Sequence, residues 1–311
     1  MTWKYLLRIR IATRKSDLAI WQANHVREKL RTLKEISSVE LVPLTTEGDL
    51  NLDQNLQKIG GKGLFIKELE HALLQKKADI AVHSMKDMPV KIPDGFCIAA
   101  TLKRESPFDS LITKNNLKLK QLKSGSIIGT SSLRRQSQIL RLRSDIEIKN
   151  LRGNVNTRIN KLEEGEFDAI ILARAGIERL GLSESITETF SPDDMIPAAA
   201  QGVIGIECAK DNEDIIKILS ALDDKESTIT TNAERSVNRE LKADCQSPIG
   251  SYATITQKKC KIETIVASPD GSKTIRESII GDQDKAVELG KILAQKLISL
   301  GAEDIIKLSQ L

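Results

Sequence analysis

Short apolar segments alternate with helix-like segments through the first two-thirds of the chain, and this alternation constrains the fold more than any other feature. Strand–helix alternation predicts α/β sheets whose ligand clefts lie at the strand ends. The predicted strands are Arg8–Ala12, Glu40–Leu44, Asp79–His83, Phe96–Ala100, Ser110–Thr113, Ile127–Gly129, Ile146–Lys149 and Asp168–Leu172. The predicted helices include one that Ser16 could cap, and Phe65–Lys76, Leu133–Leu142 and Val155–Leu162.

The length of 311 residues indicates two or three domains. Turn-forming residues cluster near Arg104–Pro107 and Ser191–Pro197. After about Lys225 the pattern changes, and we expect a small α+β domain there. Its predicted elements are the helix Ala233–Leu241, the strands Tyr252–Thr256 and Lys261–Ala267, and the helix Lys285–Leu300.

Composition argues against several classes of protein. The net charge is only +4 and aromatic residues are 3% of the chain, which is a poor supply for a nucleic-acid binder. No apolar run approaches the roughly 18 residues of a membrane span, and the basic N-terminal segment does not resemble a signal peptide. The four cysteines form no C-x-x-C pair and there are three histidines, so we expect no metal site and a reducing, cytoplasmic environment.

Arginines follow several predicted strands and open the next helix. Arg14 comes after the first strand, Arg134 and Arg135 open the helix after Ile127–Gly129, and Arg152 follows the next strand. Free N–H groups at helix starts and guanidinium forks both bind carboxylates or phosphates. The pattern therefore predicts a ligand with several acid groups, while capped helix starts with solvated charges are the alternative. No P-loop motif is present, which disfavours a nucleoside triphosphate.

Two further residues could carry chemistry. Asp87 lies in a polar cluster after the strand ending at His83, where a carboxylate could stabilise a developing cation or move a proton. The alternatives are that Asp87 caps the turn before Pro89 and that His83 is a hydrogen-bonded core residue.

Cys245 lies in a polar, turn-like stretch, where a reactive thiol is found, although a lone loop cysteine is usually only a free thiol. Cys97 and Cys208 lie in apolar runs typical of core cysteines.

The glycine-containing segment Thr45–Gly63 is interpreted as a mobile loop over a cleft, or as an ordinary surface connection.

Taken together, these segments resemble the porphobilinogen deaminase (hydroxymethylbilane synthase) family over essentially the whole chain. The matching motifs, in the family's order and spacing, are Ile11–Ser16, Gly60–Phe65, Ala81–Asp87, Gly129–Arg135, Leu151–Asn154 and Cys245–Gly250. The resemblance implies an enzyme that condenses four porphobilinogen molecules head to tail, releases ammonia at each step, and yields hydroxymethylbilane for tetrapyrrole biosynthesis. It implies a dipyrromethane cofactor held by a thioether to Cys245, a small-molecule substrate, no nucleic-acid or membrane partner, and a monomer.

The resemblance also implies an architecture of two periplasmic-binding-protein-like α/β domains joined by a hinge, plus a small α+β C-terminal domain. The expected domains are 1–102 with 198–221, 103–197, and 222–311, the last carrying the cofactor cysteine. A solute-binding protein of similar architecture is the alternative of another class, because fold does not fix function.

Site residues carry over by their positions in the motifs. The catalytic set would be Asp87, Lys86, Arg14, Arg152 and Arg158. The cofactor would contact Cys245, Lys86, Asp87, Thr130, Ser132, Arg134, Arg135, Arg152 and Gly153. The substrate would contact Arg14, Ser16, Lys62, Phe65, Asn154, Arg158, Arg179 and Gln201. This chain departs from the family pattern at Asp244 beside the cysteine, at the alanine-rich hinge Pro197–Gly202, and at Arg174.

Overall fold

The computed structural model describes residues 6–46, 66–243 and 247–309. The chain folds into two compact units, and it passes between them at Arg104/Glu105, Gly202/Val203 and Thr228/Ile229. The first unit holds the chain up to Arg104 together with Val203–Thr228, and the second holds Glu105–Gly202 together with the chain from Ile229 onward. The division into three domains stays a prediction.

The described strands and helices follow one another in an α/β pattern through the first two-thirds of the chain. The strands are β1 Leu7–Arg14, β2 Ile36–Leu44, β3 Ile80–Ser84, β4 Phe96–Thr101, β5 Asp109–Thr113, β6 Ile127–Gly129, β7 Glu147–Lys149, β8 Ala169–Ala173, β9 Glu188–Thr189, β10 Ile204–Ala209, β11 Ile249–Thr256, β12 Lys259–Ala267 and β13 Thr274–Asp282. The helices are α1 Asp17–Arg31, α2 Lys67–Leu74, α3 Leu133–Leu142, α4 Val155–Glu164, α5 Arg174–Arg179, α6 Glu213–Leu219, α7 Lys225–Glu240, α8 Ala286–Ser299 and α9 Ala302–Lys307.

The two α/β sheets have the same strand arrangement. The sheet of the first unit has the order β2-β1-β3-β10-β4, and that of the second unit has the order β7-β6-β8-β5-β9. In each sheet one strand runs against its neighbours: β10 in the first and β5 in the second. The strand β5 is the first after the chain passes into the second unit, and β10 is the first after it returns to the first unit. This repeated topology confirms the prediction of two α/β domains.

The remaining elements of the second unit form the predicted α+β part. Strands β11, β12 and β13 make an antiparallel sheet, and its core packs apolar residues of that sheet against α7, α8 and α9. The strand β13 was not predicted from the sequence. It lies at the edge of the sheet, and its charged and polar residues weaken the apolar pattern by which a strand is predicted.

The two chain segments that link the units lie side by side within the second unit. The backbone N–H of Glu105 donates to the carbonyl of Gly202 at 3.2 Å. Gly202 has a φ of +90°, and a Cβ there would come within 2.6 Å of the Glu105 carbonyl oxygen. Glycine is therefore required at this close approach.

The unpredicted strand β10 is central to the first sheet. All but the last of its residues are buried, because neighbouring strands flank it on both sides and helices cover its faces. Its sequence, IGIECA, contains Gly205 and Glu207, and it lacks the alternation or the long β-branched run that favours a strand prediction.

Candidate active site

Polar side chains of the first unit meet where β1 and β3 end. These two strands are parallel neighbours, so their carboxyl ends lie at the same edge of the sheet. Arg14 is the last residue of β1, Ser84 is the last residue of β3, and a 3₁₀ turn, Met85–Asp87, follows at once. This turn also carries Lys86, which is half-buried.

A pocket lies at this edge of the sheet. Its polar lining consists of Arg14, Ser16, Gln22, His83, Ser84 and Asp87. Ser16 occupies the N-cap position of α1, as predicted, but its side chain makes no capping hydrogen bond. Ser16 therefore lines the pocket without using its hydroxyl group to cap the helix.

The carboxylate of Asp87 is available to a ligand. It is exposed at the pocket, and it accepts no hydrogen bond from any side chain or backbone group in the described part of the chain. The alternative that it caps its turn finds no support in this geometry. Ser84, in contrast, already exchanges hydrogen bonds with Gln22, with the shorter one at 2.8 Å.

His83 lines the same pocket, and its ring is hydrogen-bonded to a buried acid. Its Nε2 lies 2.9 Å from Oε2 of Glu207, and both side chains are buried. Burial, followed by the charge of Glu207, raises the pKa of the neighbouring Glu70, while His83 opposes this shift. The interpretation of His83 as a hydrogen-bonded core histidine fits its position, and the structure adds two acids that sequence patterns did not reveal.

The second unit has a corresponding edge, where the parallel strands β6, β7 and β8 end. Thr130 directly follows β6 and is buried, and the side chain of Ser132 caps α3 by accepting a hydrogen bond from the backbone N–H of Arg135. The helix α3 spans the predicted residues, Leu133–Leu142. The positive end of its dipole and its first N–H groups are thus at this edge.

Arg134 and Arg135 share one buried carboxylate. Nη1 of Arg134 donates to Oδ2 of Asp109 at 2.7 Å, and Nε of Arg135 donates to Oδ1 at 2.9 Å. The guanidinium groups also donate to the carbonyls of Ile196 and Ile171. Asp109 is fully buried and the two arginine side chains nearly so. The two guanidinium groups and the first N–H groups of α3 suit this edge to a cofactor or substrate that carries acid groups.

Gln201 belongs to the same buried cluster. Its side-chain Nε2 donates to the carbonyl of Pro107 at 2.6 Å and to Oδ1 of Asp109 at 3.1 Å. Gln201 is therefore a structural link around Asp109, which the sequence pattern alone did not indicate.

The segment after β7 shapes the start of α4. Gly153 has a φ of +113°, and a Cβ at this position would lie 2.7 Å from Cγ2 of Thr157. The Oδ1 of Asn154 accepts the backbone N–H of Thr157 at 2.8 Å, so this side chain caps the helix. Nε of Arg158 donates to the carbonyl of Gly153, and Arg152 is half-buried beside it.

The two arginines of α5 have different partners. Nε of Arg179 donates to Oε2 of Glu105 at 2.6 Å, and Nη2 donates to the carbonyl of Gly202 at 2.9 Å. Burial lowers the pKa of Arg179, although the charge of Glu105 acts in the opposite direction. Arg174 pairs with Glu178 one helical turn away, which accounts for this charged residue structurally.

Sequence reasoning identified the cations and missed their acid partners Asp109, Glu105 and Glu207. No local spacing connects these acids to the arginines or to the histidine, since they lie in other strands or in the linking segment. The signal available in the sequence was an acidic residue at the start or middle of an apolar strand, a position that usually requires a buried partner.

Three predicted site residues, Lys62, Phe65 and Cys245, lie outside the described residues, as does nearly all of the predicted loop Thr45–Gly63. Asp244, next to the cysteine, lies outside them as well. Within the described ranges, no helix is long and apolar enough to cross a membrane.

Comparison with known proteins identifies the family. The sequence profile of the porphobilinogen deaminase dipyrromethane cofactor binding domain matches residues 9–217, and that of the porphobilinogen deaminase C-terminal domain matches residues 228–299. The chain belongs to the porphobilinogen deaminase family. It is an enzyme of tetrapyrrole biosynthesis that condenses four porphobilinogen molecules head to tail into hydroxymethylbilane, with release of ammonia, on a covalently bound dipyrromethane primer.

Solved structures also match the chain. The methionine binding protein MetQ is 12% identical, with a TM-score of 0.46 over 71% of this chain and 92% of that one. The probable amino-acid ABC transporter extracellular-binding protein ytmK from Bacillus subtilis is 13% identical, with a TM-score of 0.38 over 70% of this chain and 90% of that one.

Proposed function

We propose that this porphobilinogen deaminase is the transferase hydroxymethylbilane synthase, acting as a cytoplasmic monomer, with Asp87 as its catalytic carboxylate and Cys245 as the attachment point of its cofactor. The observation that supports this best is that the carboxylate of Asp87 is available in the pocket. Asp87 is exposed in a pocket that Arg14 also lines, and no described residue donates a hydrogen bond to its carboxylate oxygens. The polar neighbours His83 and Ser84 already have protein partners.

Asp87 supplies the electrostatic part of the chemistry. Loss of ammonia from porphobilinogen leaves positive charge on the pyrrole, and a carboxylate close to the pyrrole nitrogen stabilises that charge. The same oxygens accept the pyrrole N–H and orient the ring. Because Asp87 has no competing partner among the described residues, both oxygens are available for this contact.

The neighbouring groups of the first unit bind the substrate's acid side chains. Each porphobilinogen carries an acetate and a propionate, and a guanidinium group binds a carboxylate at two points. Arg14 and Lys86 provide the charge, and the hydroxyl of Ser16 provides a neutral donor. These three groups hold the ring in a fixed orientation relative to Asp87, which lowers the entropic part of the barrier.

The second unit provides further contacts for acid groups. Thr130, Ser132, Arg134, Arg135, Arg152 and Gly153 are proposed to hold the cofactor, and Asn154, Arg158, Arg179 and Gln201 to contact substrate. The two guanidinium groups at the start of α3 support this assignment, because cations and a helix N-terminus both favour carboxylates. When bound, dipyrromethane supplies the pyrrole carbon to which the first substrate is joined. Lys62 and Phe65, at the end of the predicted loop, are proposed to help exclude water.

The attachment point is tested by intact-mass measurement and peptide mapping of the purified enzyme. Two linked pyrrole units on the peptide that contains Cys245 are expected. The variant Cys245→Ser should lack this mass and should have no activity. An unmodified Cys245 in fully active enzyme would contradict the assignment.

The catalytic role is tested with Asp87→Asn, which retains the size and removes the charge. Substrate binding should persist, while the rate of ammonia release falls by about 10²–10⁴-fold. Asp94→Asn is a matched control, because Asp94 is also exposed but is not part of the pocket. A normal rate for Asp87→Asn would show that the carboxylate is not catalytic.

A further inference from the structure

Two free cysteines of the first unit face each other across neighbouring strands. Cys97 in β4 pairs in register with Cys208 in the antiparallel strand β10, and their sulfur atoms are 3.9 Å apart. Cys208 is buried, whereas Cys97 is partly exposed. Neither residue has a part in the proposed chemistry.

The backbone at this position can hold a disulfide. Residues directly opposite each other in an antiparallel pair have Cα atoms about 4.5–5.5 Å apart. Disulfides need a Cα separation of about 4.4–6.8 Å, a range that includes this spacing.

We propose that Cys97 and Cys208 form an oxidative modification site that reacts with a low-molecular-weight disulfide such as glutathione disulfide. The thiolate of Cys97 attacks one glutathione sulfur, which breaks the glutathione S–S bond and releases one glutathione thiolate. The thiolate of Cys208 then attacks the sulfur of Cys97, which releases the second glutathione and forms the protein S–S bond. The two thiol protons pass to the two glutathione thiolates, so two protein thiols are oxidised and one glutathione disulfide is reduced.

The exposure of the two residues determines the order of the steps. Cys97 is partly exposed and Cys208 is buried, so a dissolved disulfide meets Cys97 first. Burial, the neighbouring thiol of Cys97 and the charges of Glu207 and Asp211 all raise the pKa of Cys208. Cys208 is therefore a poor first nucleophile, and its attack depends on being placed next to the mixed disulfide.

The bond would join strands that are distant in the sequence. The two cysteines are 111 residues apart, so the cross-link closes a long loop and restricts the unfolded chain. The oxidised enzyme should therefore unfold at a higher temperature than the reduced enzyme. The strand β4 ends shortly before the chain leaves the first unit, and β10 begins directly after it returns.

The test uses the reduced holoenzyme incubated with glutathione disulfide, alkylated, and mapped by mass spectrometry without reduction. The expected product is a peptide containing Cys97 joined to one containing Cys208, and it should disappear after treatment with dithiothreitol. A lasting glutathione adduct on Cys97 without the cross-link would overturn the proposal. Absence of any reaction at both residues would overturn it as well.

Variants separate the two steps. Cys208→Ala should stop at glutathione on Cys97, and Cys97→Ser should give neither adduct nor cross-link at this site. Cys260→Ser is the matched control, because Cys260 is a buried thiol in the C-terminal sheet and its loss should leave the cross-link unchanged. The mapping of the wild-type enzyme decides the question even where a variant fails to fold, and a cross-link to Cys260 in place of Cys208 would contradict the proposal.

Discussion

Glu234 accepts a hydrogen bond from the backbone N–H of Ala200 at 2.5 Å. Its other carboxyl oxygen accepts the backbone N–H of Ala253 at 2.7 Å, and the side chain is fully buried. A helix of the C-terminal part of the chain thus holds both the segment that links the two units and the first strand of the small sheet. Two charge-assisted hydrogen bonds offset the penalty of burying the carboxylate.

Replacement of Glu234 by Gln should destabilise the protein. The amide has only one oxygen, so an NH₂ group would face one of the two N–H donors. We expect a loss of about 2–4 kcal/mol in the free energy of unfolding, measured by urea titration. The exposed Glu303→Gln serves as a control and should leave the urea midpoint nearly unchanged. An equally stable Glu234→Gln protein would show that the two hydrogen bonds contribute little.

Ala200→Gly should leave stability nearly unchanged. Ala200 has a φ of +61°, a left-handed conformation that costs a residue with a Cβ about 1–2 kcal/mol. Glycine removes that strain, but it adds about 0.4–1 kcal/mol of unfolded-chain entropy and loses a buried methyl group worth about 0.8 kcal/mol, so the opposing effects nearly cancel. Thermal unfolding measures the change. The same replacement at Ala23, inside α1, relieves no strain and should destabilise by about 1 kcal/mol or more, and equal losses at both positions would argue against strain at Ala200.

Asp109→Asn should have a larger effect. It removes the charge of a carboxylate that is hydrogen-bonded to both Arg134 and Arg135, two buried cations. A decrease of about 3–5 kcal/mol in unfolding free energy is expected. Intact-mass measurement should also show incomplete cofactor loading. The control is Asp145→Asn, because Asp145 pairs with Arg143 at the protein surface. Full stability and full loading of the Asp109 variant would contradict a supporting role for this carboxylate.

Glu70→Gln should change how stability depends on pH. Burial and the charge of Glu207 raise the pKa of Glu70 in the folded protein, and His83 is the third titratable group that faces it. A raised carboxyl pKa contributes stability below the unfolded-state pKa, and this contribution is lost as pH rises through the folded-state pKa. The Gln variant should therefore gain stability relative to wild type as pH rises above the ordinary glutamate value.

Urea unfolding at several values between about pH 4 and pH 8 measures this difference. The exposed Glu213→Gln provides a reference curve that should follow wild type. If the Glu70 variant is less stable across the whole range, the carboxyl group makes stabilising contacts that outweigh its buried charge.

Local sequence determined most of the secondary structure of the α/β sheets. Every predicted strand among the first eight is present, and α3 has the predicted ends, because apolar periodicity and capping residues act over a few neighbouring positions. The same local signals located Arg14, Ser16, Asp87, Arg134 and Arg152 at strand ends. The strands β9, β10 and β13 were missed, since their formation depends on neighbouring strands rather than on their own pattern.

Only the tertiary structure decided which of these groups are bonded to each other. The sequence placed Arg134 and Arg135 at the start of a helix, but their shared partner Asp109 lies 25 and 26 residues away. His83 and Glu207 are separated by 124 residues, and Cys97 and Cys208 by 111. Such partners are brought together by strand order and register, which result from burial of the whole core. Helix and strand propensities, in contrast, are set within a few residues and can therefore be predicted from the sequence.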